Sequence, residues 1–252
     1  MKVVSFYNRK GGVGKTTLSF MSARYLAAAG CSVIVIDLDP QHSITSAFRR
    51  IDGIPSGEPD KNVFSLTTGR YDLESVILEI KENLFLLPGH TDLAGLQSNV
   101  MFTVVSKWKA QLDSDYVIID NAPNWTNLIQ SSLMASDIVI IPASPEIEEI
   151  DQALWTYKSA LELSNGSKKK IVLNRYDSEK PGRVQREVLE GYSEELFNKT
   201  INAAIPESNL VLRYMDTGEK MNRSAKAKIK FFECVESFVH DGFNERLKTE
   251  VF

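Results

Sequence analysis

Short apolar runs alternate with segments of helical periodicity along almost the whole chain. The apolar runs are rich in β-branched residues, are five or six residues long in most cases, and predict strands at 3–7, 32–37, 84–88, 116–120, 137–142 and 171–174. Continuous runs of this kind are typical of parallel strands that are covered on both faces. The alternation therefore predicts an α/β fold: a mostly parallel twisted sheet with helices on both faces.

The segments between these runs predict the helices. Helices are expected at 16–29, 63–68, 73–80, from residue 92, after Glu146 and at 228–247. In the helix after Glu146, the predicted buried face carries Ile150, Leu154, Tyr157 and Leu161. Phe231, Val235, Phe238 and Val239 form the apolar face of the last helix. Residues 51–62 contain two glycines and two prolines and predict a loop.

A glycine-rich stretch joins the first strand to the first helix. Residues 8–17 read Asn-Arg-Lys-Gly-Gly-Val-Gly-Lys-Thr-Thr. A turn of this kind directs backbone N–H groups at an anion, and the helix N-terminus adds positive potential. We expect Lys15 to reach the β- and γ-phosphates of a nucleotide and the Thr16 hydroxyl to ligate Mg²⁺. The predicted nucleotide-binding residues of the loop are Gly11, Gly12, Val13, Gly14, Lys15, Thr16 and Thr17.

The start of this loop departs from the strict phosphate-loop pattern. Arg9 stands where that pattern has glycine, and a second lysine, Lys10, follows it. One interpretation is a solvated lysine on an ordinary nucleotide loop. The other comes from a resemblance: Lys-Gly-Gly-Val-Gly-Lys-Thr-Thr resembles the deviant phosphate loop (deviant Walker A) of the ParA/MinD ATPases. That resemblance implies that Lys10, with Lys15, is catalytic, and that Lys10 crosses a dimer interface to the nucleotide of the other subunit.

Two predicted strands end in carboxylates that could serve this loop. Asp37 and Asp39 follow the second strand, and Asp120 ends the strand at 116–120. In such folds the carboxyl ends of strands face the ligand, so Asp120 is interpreted as the Walker B aspartate near Mg²⁺. Asp39 could instead cap a helix that begins at Pro40. The resemblance implies that Asp39 orients the attacking water and that Asp37 supports the water shell of the metal.

Two later residues are candidates for the base of the nucleotide. Asn174 ends the strand at 171–174, and its amide could pair with both a donor and an acceptor on adenine. An asparagine that only terminates a strand is the alternative. Residues 203–208 resemble the family segment whose backbone holds the base, and Pro206 is its clearest match.

Composition sets wider bounds on the protein. The chain has 252 residues, 43% of them hydrophobic and 25% charged, with a formal net charge of −4. We expect one domain over 1–252, with no N-terminal helix-turn-helix extension, in the cytoplasm. Cys31 and Cys234 form no Cys-x-x-Cys motif, which argues against iron–sulfur and zinc frameworks and favours buried thiols.

A net acidic chain can still contact DNA through a local basic patch. Six basic residues lie between Arg213 and Lys230, and this run is either a solvated face or a sequence-independent contact with DNA phosphates. The nominated DNA residues are Arg213, Arg223, Lys226, Lys228 and Lys230, with Lys180, Arg183 and Arg186 as a second cluster. Residues 242–252 contain too many acids for a basic amphipathic membrane helix, so no membrane contact is expected.

The resemblance extends from residue 2 to about residue 212 and implies a partition ATPase. It implies ATP and Mg²⁺ as cofactors, a homodimer that closes around ATP, and non-specific binding to nucleoid DNA. It also implies that a centromere-binding, ParB-like protein stimulates a weak hydrolysis that releases the DNA. The alternatives are a MinD-like regulator at the membrane, a positioning ATPase for a protein cargo, and an ATP-dependent ligase of the same fold.

Overall fold

A computed structural model describes residues 1–54, 60–96, 102–163, 166–218 and 226–243. The strands are β1 (Lys2–Phe6), β2 (Val33–Leu38), β3 (Leu78–Lys81), β4 (Leu84–Leu87), β5 (Tyr116–Asn121), β6 (Ile138–Ala143), β7 (Lys168–Asn174) and β8 (Thr200–Ile205). The helices are α1 (Lys15–Ala28), α2 (Ser43–Asp52), α3 (Val63–Thr67), α4 (Leu73–Val76), α5 (Val104–Lys109), α6 (Asn127–Ala135), α7 (Ile147–Leu163), α8 (Arg183–Gly191), α9 (Ser193–Leu196), α10 (Asn209–Thr217) and α11 (Lys226–Phe243). A 3₁₀ helix spans Thr91–Leu96.

The strands form one sheet in the order β3-β4-β2-β5-β1-β6-β7-β8. Only the edge pair β3–β4 is antiparallel, and the other neighbouring pairs are parallel. The central strands β2, β5 and β6 are buried along their whole length. The prediction of a mostly parallel sheet covered on both faces is confirmed.

Successive residues of the central strands point into different hydrophobic cores, one on each face of the sheet. Val4 and Phe6 lie in the core under α1, α2, α10 and α11, whereas Val3 lies in the core under the remaining helices. The last helix packs as predicted, because Val235, Phe238 and Val239 are fully buried. The backbone of Phe231 belongs to α11, but its side chain lies outside the described part of the chain.

The helix predicted at 73–80 is wrong in its second half. Only Leu73–Val76 is helical, and Leu78–Lys81 is the edge strand β3. The strand pairs with β4 through a tight turn in which Asn83 has a left-handed backbone with φ +62°. The reason is tertiary: β4 needs a partner on its outer edge, and pairing overrides the weak local preference for helix.

Four smaller expectations need correction or refinement. The helix after the second strand begins at Ser43, so Asp39 does not cap it. On α7, Leu161 is 38% exposed, and Ala153, Thr156 and Ala160 complete the buried face instead. The two cysteines are only partly buried against the core. The segment from residue 92 is a 3₁₀ helix as far as Leu96.

Candidate nucleotide-binding site

The fold gathers most of the predicted site residues at one edge of the sheet. The glycine-rich loop follows β1, and the adjacent strands β2 and β5 pair in register so that Asp37 lies beside Asp120. On the other side, β7 and β8 pair so that Asn174 lies beside Ile205, which directly precedes Pro206. Residues far apart in sequence therefore lie at the same edge of the sheet as the loop, where ligands bind in such sheets.

The loop has the backbone that an anion-binding turn needs. Gly12 and Gly14 have positive φ angles of 79° and 94°, which glycine adopts without strain. A Cβ at Gly14 would lie 2.2 Å from the Asn174 amide nitrogen, so a larger residue does not fit there. Helix α1 starts at Lys15, and no side chain caps its N-terminus. Its first N–H groups are therefore available to a phosphate.

Lys15 lies inside the loop and is 7% exposed. Its Nζ donates to the carbonyl oxygens of Asn8 and Lys10 at 3.1 and 3.0 Å. Burial lowers the pKa of Lys15, and the carboxylates of Asp120 and Asp39 partly oppose this. Among the described residues, carbonyl oxygens are the hydrogen-bond acceptors of Lys15, so the ammonium gains a stronger partner when a phosphate enters the loop.

Lys10 lies at the rim of the loop, with its side chain 35% exposed. Its Nζ donates to Glu148 Oε1 on α7 at 2.7 Å, and this hydrogen bond raises the pKa of Lys10. The sequence did not point to Glu148, because an acid in the first turn of a helix usually serves the helix itself. The ion pair is exposed, and such pairs are weak enough to break when Lys10 finds another partner.

Asp120 provides the observation that tests the fit of a metal ion. The carboxylate is 1% exposed; its Oδ1 accepts from the Ser19 hydroxyl at 3.3 Å, and its Oδ2 has no hydrogen-bond partner among the described residues. Burial and the neighbouring Asp37 raise the pKa of Asp120 to about 8, while the nearby Thr16 hydroxyl lowers it. A buried, unsatisfied carboxylate oxygen beside a hydroxyl suits Mg²⁺ or a water bound to it.

Asp37 is held by the segment that follows β2. Its carboxylate accepts from the Thr45 hydroxyl at 2.6 Å, from the Thr45 N–H at 3.2 Å and from the Asp39 N–H at 3.1 Å. Burial raises the pKa of Asp37 to about 7, and these hydrogen bonds oppose the change. Asp39 is half-buried, and its Oδ1 accepts from the Gln41 N–H at 2.9 Å. Asp37 therefore anchors the segment that carries Asp39.

Gly89 closes the other side of this anchor, and Gly89→Ala is expected to destabilise the protein. A Cβ at Gly89 would lie 2.7 Å from the Asp37 carboxyl carbon, and the Gly89 N–H already donates to Thr45 Oγ1 at 3.0 Å. We expect a loss of about 1–3 kcal/mol, which urea denaturation would measure. Gly95→Ala is the control, because its Cβ would meet nothing within 4 Å. Equal stability of the two variants would mean that the surroundings of Asp37 can accommodate a methyl group at position 89.

The candidates for the base lie where they were predicted, but Asn174 makes a contact that was not expected. It is 8% exposed, and its Nδ2 donates to the carbonyl of Val13 in the loop at 2.8 Å. Its Oδ1 faces no donor in that contact and can accept from the adenine amino group. Pro206 is half-buried directly after β8. Contact of either residue with adenine stays a prediction.

A row of aromatic contacts connects the loop region to α7. Trp125, which follows β5, packs against Tyr7 and Trp155 with ring centroids 5.7 and 5.3 Å away. Arg9 places its guanidinium 4.9 Å from the centre of the Trp155 ring. Trp125 therefore packs within this chain, whereas Trp155 makes these contacts and remains 36% exposed.

The structure describes some of the nominated DNA residues only in part. Arg213 is exposed on α10, and Lys180, Arg183 and Arg186 are exposed near or on α8. Arg183 pairs with Glu187 at 2.8 Å. Lys226, Lys228 and Lys230 belong to α11 by their backbone, but their side chains, and the whole of Arg223, lie outside the described residues. Their contact with DNA remains a prediction.

A parallel sheet with this loop and with an acidic residue at the end of β5 defines a phosphate-loop nucleoside triphosphatase. Residues 1–160 match the model of the AAA_31 family, which is described as an AAA domain. The match covers more than half of the chain, so the chain belongs to the AAA_31 family. Its loop and its relatives make it an ATPase of the ParA/MinD type.

Curated relatives agree over most of the chain. An uncharacterised protein of Methanocaldococcus jannaschii is 29% identical over an alignment of 248 positions, and the alignment covers 92% of each chain. The chromosome-partitioning ATPase Soj of Treponema pallidum is 29% identical over an alignment of 223 positions, and the alignment covers 82% of this chain and 83% of that protein. The family likeness therefore extends well past the loop.

Solved structures share the fold. A Borrelia burgdorferi protein described as a plasmid partition protein, bound to AMPPNP, superposes with a TM-score of 0.80 at 23% identity and covers 94% of this chain and 98% of its own. The septum site-determining protein MinD of Pyrococcus horikoshii, in complex with Mg-ADP, gives a TM-score of 0.74 at 20% identity, with coverages of 93% and 94%. At these identities the likeness shows the fold alone.

Among the described residues, none of the helices is both long and apolar enough to span a membrane.

Proposed function

We propose that this chain is an ATP-dependent partition ATPase that moves or positions DNA. ATP and Mg²⁺ bind each subunit, and a dimer closes with the two nucleotides between the subunits. The closed dimer holds DNA without regard to sequence, and hydrolysis, stimulated by a ParB-like partner, releases it. The ParA/MinD-type family supports the ATPase part, and the relative named for chromosome partitioning supports the role in partition.

The observation that carries this proposal is the different placement of the two loop lysines. Lys15 is buried within the loop, where it serves the nucleotide of its own subunit. Lys10 stands at the rim, where its ammonium forms an exposed ion pair with Glu148. A cation at the rim, on a weak tether, is available to a triphosphate presented by a second subunit. An ordinary phosphate loop needs only the lysine at the position of Lys15.

The other residues divide the remaining work. Thr16 and Asp120 would hold the Mg²⁺ ion and Asp37 would support its water shell, and the ion would supply charge neutralisation at the phosphates. Asp39 orients the attacking water, and the hydrogen bonds between Asp37 and Thr45 keep the Asp39 segment in place. Loop N–H groups and the two lysines stabilise the charge that develops on the transferred phosphoryl group. Asn174 and Pro206 receive the base.

DNA binding is the step that separates partition from other roles of this fold, and we expect it to depend on ATP. A gel shift with random-sequence duplex should show binding with ATP and Mg²⁺ and little with ADP or without nucleotide. The logarithm of the binding constant should fall linearly with the logarithm of salt concentration, with a slope of roughly −0.9 for each phosphate contact. Lys15→Ala, which cannot hold the nucleotide, is the control that should not shift DNA.

Two other results would point to the alternatives. Binding to anionic vesicles with ATP, and no DNA shift, would indicate a MinD-like regulator. ATP turnover that requires a small carboxylic acid would indicate a ligase. Either outcome would remove the partition role but leave nucleotide binding in place.

A further inference from the structure

Two neighbouring residues at the end of β7 hold the phosphate loop from outside. Asn174 Nδ2 donates to the Val13 carbonyl at 2.8 Å, and Arg175 Nη2 donates to the Gly12 carbonyl at 2.7 Å. These carbonyls belong to two consecutive peptide groups of the loop. The sequence singled out Asn174 as a base contact and did not single out Arg175 at all.

The direction of these two carbonyls determines what the loop offers to a phosphate. A peptide group is planar and trans, so its C=O and N–H point to opposite sides. When the Gly12 carbonyl is held outward by Arg175, the N–H of Val13 points inward, and Asn174 fixes the N–H of Gly14 in the same way. Without these donors, the positive-φ glycines Gly12 and Gly14 leave the intervening peptides free to rotate. A rotated peptide would present its oxygen to the phosphate.

The residue that makes the contact with the Gly12 carbonyl, Arg175, has a strained backbone conformation. Arg175 has φ +54°, a left-handed conformation that a side chain other than glycine rarely adopts. The first turn of α8 supports it, because Gln185 Nε2 donates to the Arg175 carbonyl at 3.2 Å and Gln185 Oε1 accepts from the Gly182 N–H at 3.2 Å. Strained backbone that neighbours hold in place is concentrated at functional sites.

We propose that Asn174 and Arg175 are positioning residues that aim the Val13 and Gly14 N–H groups at the phosphates of the bound nucleotide. The proposal rests on the nucleotide-binding part of the proposed function. It does not depend on the dimer, on DNA or on the role of Lys10. Any contact of the Asn174 Oδ1 with adenine is a separate property of the same side chain.

The test uses substitutions that separate the side chain from its backbone. Arg175→Gly removes the guanidinium and relieves the left-handed backbone, so the fold should be at least as stable as the wild type. We expect this variant to bind Mg-ADP about 5- to 30-fold more weakly by titration calorimetry, because the loop N–H groups are no longer aimed. Arg175→Lys keeps one donor and should recover part of the affinity. Arg175→Ala should bind as weakly as Arg175→Gly. It should also melt at a lower temperature than Arg175→Gly, because alanine keeps a Cβ at a left-handed position.

Asn198→Gly is the matched control. Asn198 also has a left-handed backbone, with φ +60°, but it lies between α9 and β8, and in the described part of the chain no hydrogen bond joins it to the loop. This variant should bind Mg-ADP as the wild type does. If Arg175→Gly also binds Mg-ADP with wild-type affinity, Arg175 does not position the loop. A wild-type protein that binds neither ADP nor ATP would instead overturn the proposed function itself, so the two failures are distinguishable.

Discussion

Mixing a Lys10→Ala variant with an Asp39→Ala variant is expected to restore ATP hydrolysis that neither variant shows alone. Each single variant should lose activity about 10²- to 10⁴-fold. Lys10→Ala lacks the positive charge that neutralises the phosphates, and Asp39→Ala lacks the group that orients the attacking water. In a mixed dimer, the Lys10→Ala subunit keeps its own Asp39 and receives Lys10 from its partner. That subunit therefore has one complete site.

The contacts of Lys10 in the structure are compatible with this role. Its tether to Glu148 is an exposed ion pair, and the approach of a triphosphate offers Lys10 a more highly charged partner. Equal amounts of the two variants should reach about a quarter of the wild-type rate, because about half of the dimers are mixed and each has one complete site out of two. Phosphate release at saturating ATP and Mg²⁺ measures this rate.

The control is Lys10→Ala mixed with a Lys10→Ala/Asp39→Ala double variant. No subunit in that mixture can donate Lys10, so activity should stay at the level of the single variants. If the first mixture is equally inactive, Lys10 acts within its own subunit. Normal turnover by Lys10→Ala alone would remove this lysine from the mechanism.

The sequence predicted the sheet and the loop because both depend on local signals. Strands such as Val33–Leu38 are apolar on both faces, and this pattern has few alternatives once helical segments separate the strands. The glycines at 12 and 14 are needed for backbone reasons that can be recognised without coordinates. Asp120 and Asn174 could be nominated because the carboxyl ends of parallel strands meet at one edge.

Contacts between distant segments could not be predicted. Nothing near Glu148 indicates that it binds Lys10, which lies 138 residues away. The contact of Arg175 with Gly12 depends on a left-handed backbone that no sequence pattern announces. Residues Leu78–Lys81 are compatible with a helix by local sequence. They form an edge strand because they pair with β4. The role of Thr45 and Gly89 around Asp37 is of the same kind.

Replacing Asp120 by asparagine is expected to abolish hydrolysis and yet to stabilise the protein without metal at pH 8. The pKa of Asp120 is raised to about 8 by burial and by Asp37. A carboxyl group whose pKa is higher in the folded state binds more protons there than in the unfolded chain. The wild type therefore loses stability as the pH rises from the unfolded pKa, about 4, towards 8. Asparagine does not ionise, so the variant avoids this loss.

We expect Asp120→Asn to melt roughly 2–8 °C above the wild type at pH 8 in the presence of a chelator, which corresponds to about 1–2 kcal/mol. At pH 4 the difference should shrink, because the wild-type carboxyl is protonated when folded. Thermal unfolding at several pH values measures the difference in melting temperature at pH 8 and at pH 4. A variant that is less stable than the wild type at every pH would mean that the ionised Asp120 does not destabilise the fold.

Mg²⁺ and nucleotide should reverse the order of stability. A ligand that binds only the folded state stabilises it in proportion to its affinity, so Mg-ADP should raise the melting temperature of the wild type. It should raise that of Asp120→Asn much less, because the neutral amide is a poor partner for the ion or for its bound water. Hydrolysis should fall about 10²-fold or more. The unsatisfied Oδ2 of Asp120 would then be a group whose cost in the empty protein is recovered when the metal binds.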